Sequence, residues 1–225
     1  MSERELVITI DGPAGAGKST LARLLAGRLG YRLIDTGAMY RALAWSVREA
    51  GLAPADTPEL RHHLAAVGVA LDDDRVLVNG DDVTAKIRTR EISELTSRLT
   101  TLGIVRDKVT PLQRALARRG GVVLEGRDTG TVVCPDADVK FYLDASIHER
   151  AQRRHLEIES GGTAVGVDLL RAEIRARDVQ DTTRALAPLR KPPGAIEIDT
   201  SDLAVEQVLE RMLEAVERRR CCTRS

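Results

Sequence analysis

Aromatic residues are scarce, making up 2% of the 225-residue chain. So few rings cannot build the stacking platforms on which proteins hold single-stranded nucleic acid. Charge of one sign is also lacking, since Lys+Arg and Asp+Glu number 34 each and cancel. Without a net positive field, a role in non-specific binding of nucleic acid or of an anionic membrane surface is not expected. Long apolar runs are missing too. The first, from Leu6 to Ile10, is too short for a signal-peptide core, and no later run could cross a bilayer. A cytoplasmic protein is the expectation. Only three cysteines occur, Cys134, Cys221 and Cys222. The adjacent pair cannot staple a fold, and the cysteines make no zinc-site spacing with His62, His63, His148 and His155. His62 and His63 are expected on a solvated helix face. The chain has one asparagine, Asn79, followed by Gly80. The Asn-Lys-x-Asp element of guanine-specific GTPases is therefore absent, and so is the H-R-D-x-x-x-x-N loop of protein kinases.

What is present describes a globular α/β protein. Hydrophobic residues are 43% and charged residues 30%, enough for a packed core, and the length suits one domain with a small insertion. Short apolar runs rich in β-branched residues alternate with helical patterns. Strands are predicted at Leu6 to Ile10, Arg32 to Asp35, Val122 to Glu125, Val139 to Leu143 and Ile196 to Asp199. Helices are predicted from about Lys18 to Leu29, Ala38 to Ala50, Val105 to Arg119, Ile147 to Glu159 and Leu203 to Arg219. This alternation implies a parallel sheet covered on both faces. One stretch breaks the rhythm. Val69 to Leu71 and Val76 to Val78 flank an Asp-rich turn, with Asn79-Gly80 at once after, which reads as antiparallel strands. An α+β lobe inserted at about 58–102 is expected in a core of about 1–57 and 103–225. Gly161 and Gly162, with Gly166 nearby, mark a mobile loop between two helices. Arg218, Arg219 and Arg220 read as a solvated helix end, where cations suit the dipole.

Chemistry enters with Gly12-Pro13-Ala14-Gly15-Ala16-Gly17-Lys18-Ser19, a full G-x-x-x-x-G-K-[ST] phosphate loop between a strand and a helix. Its glycines let backbone N–H groups wrap phosphate oxygens, Lys18 places a charge on the β and γ phosphates, and the Ser19 hydroxyl can ligate Mg²⁺. The expected ATP-binding set is Gly12, Pro13, Ala14, Gly15, Ala16, Gly17, Lys18, Ser19 and Thr20. A phosphate loop alone does not say what receives the phosphoryl group. Four Arg-bearing segments accompany it: Asp35-Thr36-Gly37-Ala38-Met39-Tyr40-Arg41, Gly126-Arg127-Asp128-Thr129-Gly130-Thr131, the helix face of Arg150, Arg153 and Arg154, and the face of Arg177, Asp181 and Arg184. A kinase joining two phosphorylated reactants must neutralise both, and Arg forks suit phosphate oxygens. A kinase for another small acceptor, such as a different nucleoside monophosphate, shikimate or a coenzyme precursor, and a nucleotide-binding regulatory or assembly module without transferase activity stand as alternatives. The module needs no second phosphate site.

The same segments, with Ile10-Asp11-Gly12-Pro13, Pro135-Asp136-Ala137-Asp138 and Arg184-Ala185-Leu186-Ala187-Pro188-Leu189, resemble those of bacterial-type cytidylate kinases from Leu6 to Val216. The resemblance implies a P-loop three-layer fold with a parallel sheet, an inserted monophosphate-binding lobe, and a short lid at about 150–184. It implies ATP as the donor, with the Mg²⁺ that Ser19 can ligate, and CMP or dCMP as the acceptor. A monomer is the default expectation, and the charge balance points to no nucleic-acid or membrane partner. Ser97, Arg106 and Asp128 would hold the cytosine. Thr36, Tyr40, Arg41 and Arg127 would lie at the acceptor, Arg177 and Asp181 at the sugar, and Arg184 at the phosphates. Catalytic roles fall to Lys18, Arg127, Arg184, Arg153 and Arg154, the last two on the lid. No histidine lies in any of these segments. An acceptor phosphate, with its second pKa near 6, needs no general base.

Overall fold

The computed structural model describes residues 5–72, 74–160 and 165–223, without the side chains of Ser160, Cys222 and Thr223. The expected loop at Gly161 and Gly162 lies outside the described residues. By its internal contacts the chain divides into two units, Met1–Leu33 with Gly120–Ser225, and Ile34–Arg119.

The first unit is built on a five-stranded sheet in the order β2-β6-β1-β7-β8, formed by β1 (Val7–Asp11), β2 (Arg32–Asp35), β6 (Val122–Glu125), β7 (Val139–Asp144) and β8 (Ile196–Asp199). The β1–β6, β1–β7 and β7–β8 pairings are parallel. β1 is sealed on both faces, which is why its sequence reads as a continuous apolar run rather than an alternation. Ile8, Ile10, Leu21, Leu25, Val123, Phe141, Leu143 and Met212 form one buried cluster of strand, α1 (Lys18–Leu29) and α8 (Val205–Thr223) side chains. β1 lies between β6 and β7; the chain runs from it through α1 to β2 beyond β6, and later passes from β6 to β7 on the other side of β1. The carboxyl ends of these strands therefore frame a crevice of the kind where open α/β sheets bind ligands. Helices α6 (Ile147–Ser160) and α7 (Val167–Thr183), which occupy most of the expected lid, pack against each other. At the far end, Arg220 is not solvated as expected. Its guanidinium lies 5.6 Å from the Tyr31 ring centre and donates to the Tyr31 hydroxyl at 3.2 Å.

The second unit has its own core. Ala38, Leu43 and Val47 of α2 (Thr36–Glu49) and Val105 and Val109 of α5 (Gly103–Ala117) pack with Leu60 of α3 (Pro58–Ala66), Val76 and Val78 of β4 (Arg75–Val78), and Ile92 of α4 (Arg90–Leu99). The unit is thus wider than the expected lobe, because α2 and α5 bury their apolar faces on the inserted elements. β3 (Val69–Asp72) pairs antiparallel with β4, as the alternation predicted, and Asn79-Gly80 turns the chain into the two-residue β5 (Asp81–Asp82). His62 is exposed, but His63 is half-buried with its Nε2 3.0 Å from the Ser46 Oγ, and burial lowers its pKa. No helix among the described residues is long and apolar enough to cross a membrane.

Candidate active site

The phosphate loop turns out of β1 exactly where side chains have no room. A Cβ on Gly12 (φ +148°) would lie 2.0 Å from the Leu143 carbonyl oxygen, and one on Gly15 (φ +81°) would press on Arg150 at 3.0 Å. Both positions require glycine for space and for backbone angle. Lys18 opens α1 with its side chain folded across the loop, where Nζ donates to the Pro13 carbonyl at 2.6 Å. The ammonium is buried. Desolvation, reinforced by the Arg127 charge, pushes its pKa well below the ordinary lysine range, while Glu125 acts in the opposite sense. Ser19 and Thr20 follow on the exposed side of the helix.

The neighbouring strand brings a carboxylate that sequence reasoning left out of the site. Glu125 ends β6 in register with Ile10, is buried, and accepts from Ser19 Oγ at 2.9 Å. The available signal was an acid closing a fully apolar strand directly before Gly126-Arg127-Asp128. A hydroxyl and a carboxylate side by side are hard oxygen donors of the sort Mg²⁺ takes.

Beyond Glu125, opposite charges alternate. Arg127 Nε donates to Asp181 Oδ2 at 3.0 Å, Arg184 stands 3.6 Å from Asp181, and Arg184 also stands 3.7 Å from Asp128. Asp128, Asp181 and the Arg184 guanidinium are buried, whereas Arg127 keeps about a fifth of its side chain exposed. α7 supplies Asp181 and, one turn earlier, Arg177, whose charge also acts on Lys18. The structure thus brings together the expected Lys18, Arg127, Asp128, Arg177, Asp181 and Arg184 in the first unit.

The α6 arginines do not share one environment, contrary to a reading of Arg150, Arg153 and Arg154 as a single lid face. Arg150 is buried and braces the loop, donating to Ala14 O at 3.2 Å and to Ala145 O at 2.9 Å while pairing with Asp178 at 2.7 Å. Arg153 is held on Thr200, with Nη2 2.6 Å from its carbonyl and Nη1 3.0 Å from its hydroxyl. Arg154 is exposed and pairs with Glu157 at 2.9 Å. The i, i+3, i+4 spacing places side chains near one another but cannot say which of them the next segment buries.

In the second unit, Asp35 caps α2 by accepting from Ala38 N at 2.7 Å, and its carboxylate also takes Arg41 Nη2 at 3.1 Å. Arg41 Nε is buried with no hydrogen-bond partner among the described residues. A donor left this way costs free energy unless something accepts from it. Thr36 is buried at the first turn of α2. Arg106, buried on α5, lies 5.7 Å from the centre of the Tyr40 ring and donates to Thr100 O at 3.4 Å. Ser97 is half-buried on α4.

A phosphate loop at the end of the central strand, a buried lysine, and a Ser–Glu oxygen pair define a P-loop kinase. The fold agrees: a shikimate kinase from Acinetobacter baumannii aligns over 96% of this chain and 95% of its own at TM-score 0.50 and 17% identity. The protein TT1252 from Thermus thermophilus aligns over 96% and 97% at TM-score 0.50 and 21% identity. Residues 8–218 match the family model of cytidylate kinase. The cytidylate kinase of Geobacter sulfurreducens is 49% identical over 224 residues, covering 98% of this chain and 96% of the relative, and that of Geobacillus kaustophilus is 47% identical over 96% and 99%. The chain belongs to the cytidylate kinase family.

Proposed function

We propose that this nucleoside monophosphate kinase transfers the γ-phosphoryl group of ATP to CMP, and to dCMP, through the residue roles that follow. Lys18 and the backbone of the loop hold the β and γ phosphates, and the buried site keeps their attraction strong. Ser19 and Glu125 would hold Mg²⁺, an ion that neutralises charge on the donor phosphates when bound. Arg127 and Arg184 take phosphate oxygens, and Asp181 sets both guanidiniums while reaching the ribose with Arg177. Arg41, whose buried Nε has no acceptor among the described residues, binds the acceptor phosphate with Thr36 beside it, and Tyr40 backs Arg106. Asp128, Arg106 and Ser97 read the base. Arg153 and Arg154 act from the lid as it closes on ATP.

The acceptor phosphate is ionised near neutral pH and attacks as it stands, so catalysis consists of placement and charge neutralisation. The observation that carries this reading is the alternation Arg127–Asp181–Arg184–Asp128 beside Lys18, because a nucleotide switch has no use for a second, carboxylate-braced arginine cluster. The zero formal net charge provides no overall positive field for a nucleic-acid partner, and a cytoplasmic monomer is the state proposed. A coupled assay of ADP release over CMP, dCMP, UMP, AMP and shikimate tests the reading. CMP and dCMP are expected to lead. Turnover led by shikimate, or ATP hydrolysis without transfer, would refute it.

A further inference from the structure

We infer that Asp11 is a positioning residue for base selection, holding the Asp128 loop at a fixed place relative to the phosphate loop. Asp11 is the last residue of β1, directly before Gly12, and its side chain is fully buried. Its carboxylate points at the turn that follows Asp128. Oδ1 accepts from Thr129 N at 2.8 Å and from Thr129 Oγ1 at 2.8 Å, while Oδ2 accepts from Gly130 N at 2.7 Å. One side chain therefore fastens the turn that follows Asp128 to the strand that carries the ATP loop.

The turn it fastens is unusual. Thr129–Val133 makes a single π-helical turn, closed by Cys134 N to Thr129 O at 2.7 Å and Val133 N to Asp128 O at 3.2 Å. π-turns occur mostly as single turns and often at functional sites. Asp128 itself stands at φ −145°, ψ 22°, outside the helical and strand wells. A residue in such a conformation keeps it only if its neighbours dictate it. The three bonds to Asp11 do so, and close packing helps, since a Cβ on Gly130 would lie 2.8 Å from Thr9 Oγ1 and 2.9 Å from Pro192.

Stability is a poor explanation for this carboxylate. Burial raises the Asp11 pKa despite the three donors that favour its charged form, so holding the ion here has a net cost. Ionised carboxylate is nevertheless the only common side chain of this size that accepts on both oxygens. Asparagine would turn an NH₂ toward either Thr129 or Gly130.

The inference rests on Asp128 reading the base, so the test carries that control. Asp11→Asn, Thr129→Val and Asp128→Ala are each assayed with CMP and UMP at saturating ATP, and for KM of ATP. Asp11→Asn is expected to lower kcat/KM for CMP about tenfold and to narrow the CMP-to-UMP ratio, with KM for ATP changed less than about threefold. Thr129→Val, which removes one of the three bonds and no backbone donor, is expected to move the ratio in the same direction by a smaller factor, and it answers the question if Asp11→Asn does not fold. If Asp128→Ala narrows the ratio while both other variants leave it at the wild-type value, Asp11 merely supports the fold and the inference falls. If Asp128→Ala also leaves the ratio unchanged, the base-reading assignment fails, and the inference with it.

Discussion

Arg127 reaches Asp181 across 54 residues of sequence with an Nε to Oδ2 distance of 3.0 Å, joining the loop after β6 to the last turn of α7. Under the proposed function Asp181 has two duties, orienting a phosphate arginine and reaching the sugar, and they are separable. Breaking a largely buried pair leaves an uncompensated charge, with a cost of up to about 3–5 kcal/mol when burial is complete. Replacing Asp181 with Asn is expected to lower kcat/KM for CMP and dCMP together by about tenfold or more through Arg127, and to lower CMP further through the lost 2′-hydroxyl contact. Equal losses for the two acceptors, measured under identical conditions, would confine Asp181 to holding Arg127.

Lys18 sets activity against stability. Its pKa is lowered by burial first and by Arg127 second, so the native protein binds the proton less readily than the unfolded chain does. Between the lowered pKa and the ordinary value of 10.5, the unfolded state holds more protons, and stability rises with pH across that window. Below the window the charged lysine costs stability. Lys18→Met is thus expected to cut turnover roughly a hundredfold or more while raising the thermal midpoint near pH 7, each kcal/mol of relieved desolvation being worth about 2–4 °C. The midpoint advantage should shrink as the pH climbs toward 10.5. A variant with near-normal turnover would remove the loop from catalysis, and a lower midpoint at pH 7 would show that Lys18 contributes more as packing than it costs as charge.

Much of the scaffold was legible because each strand of the large sheet is short, β-branched and flanked by glycine or a carboxylate. Arg32–Asp35, Val122–Glu125 and Ile196–Asp199 fall where the pattern puts them. The hairpin of β3 and β4 was legible from alternation on either side of an Asp-rich turn, with Asn79-Gly80 ending β4. Helix α4 was hidden inside the expected lobe and α3 was read only as a helix face at His62 and His63, although Thr57 and Thr89 cap them by accepting from Leu60 N and Ile92 N. The limits of the second unit were hidden too, because α2 and α5 read as ordinary amphipathic helices and only packing shows which core they join. Of the candidate site, the arginines proposed to meet phosphate stood out, in strand-end motifs and on helix faces. The supporting groups did not. Asp11 and Glu125 each look like the polar end of a buried strand, and their partners Thr129 and Ser19 lie 118 and 106 residues away. Arg150 and Arg153 show the reverse error, since a charged helix face hides which side chain is buried by the loop beside it.

Glu125 gives a metal-dependent expectation. It accepts from Ser19 at 2.9 Å, and the hydroxyl and carboxylate are the oxygen donors proposed for Mg²⁺. Glu125→Gln keeps the shape and a hydrogen-bond partner for Ser19 but removes the charge. The Mg²⁺ concentration giving half-maximal rate is expected to rise about tenfold or more, with KM for CMP little changed. A shift in KM for CMP with the Mg²⁺ dependence intact would move Glu125 from the donor to the acceptor side.

Base choice follows from hydrogen-bond polarity. Cytosine offers an N4 amino donor beside an N3 acceptor, whereas uracil offers an O4 acceptor beside an N3 donor. An ionised carboxylate only accepts and a guanidinium only donates, so the proposed placing of Asp128 at N4 and of Arg106 at N3 or O2 would suit cytosine. Both side chains are buried, which makes a mismatch expensive. Against uracil the carboxylate would meet a carbonyl oxygen, and each stranded polar group costs about 1–3 kcal/mol, more when charged. CMP is therefore expected to exceed UMP in kcat/KM by at least about tenfold, since 1.4 kcal/mol corresponds to one decade. Arg184 lies 3.7 Å from the Asp128 carboxylate, so removing the carboxylate also frees that guanidinium to shift. Asp128→Ala should for this reason weaken both acceptors and weaken CMP more, narrowing the preference. Wild-type protein that used UMP as readily as CMP would overturn the base-reading roles of Asp128 and Arg106 while leaving the phosphate loop untouched.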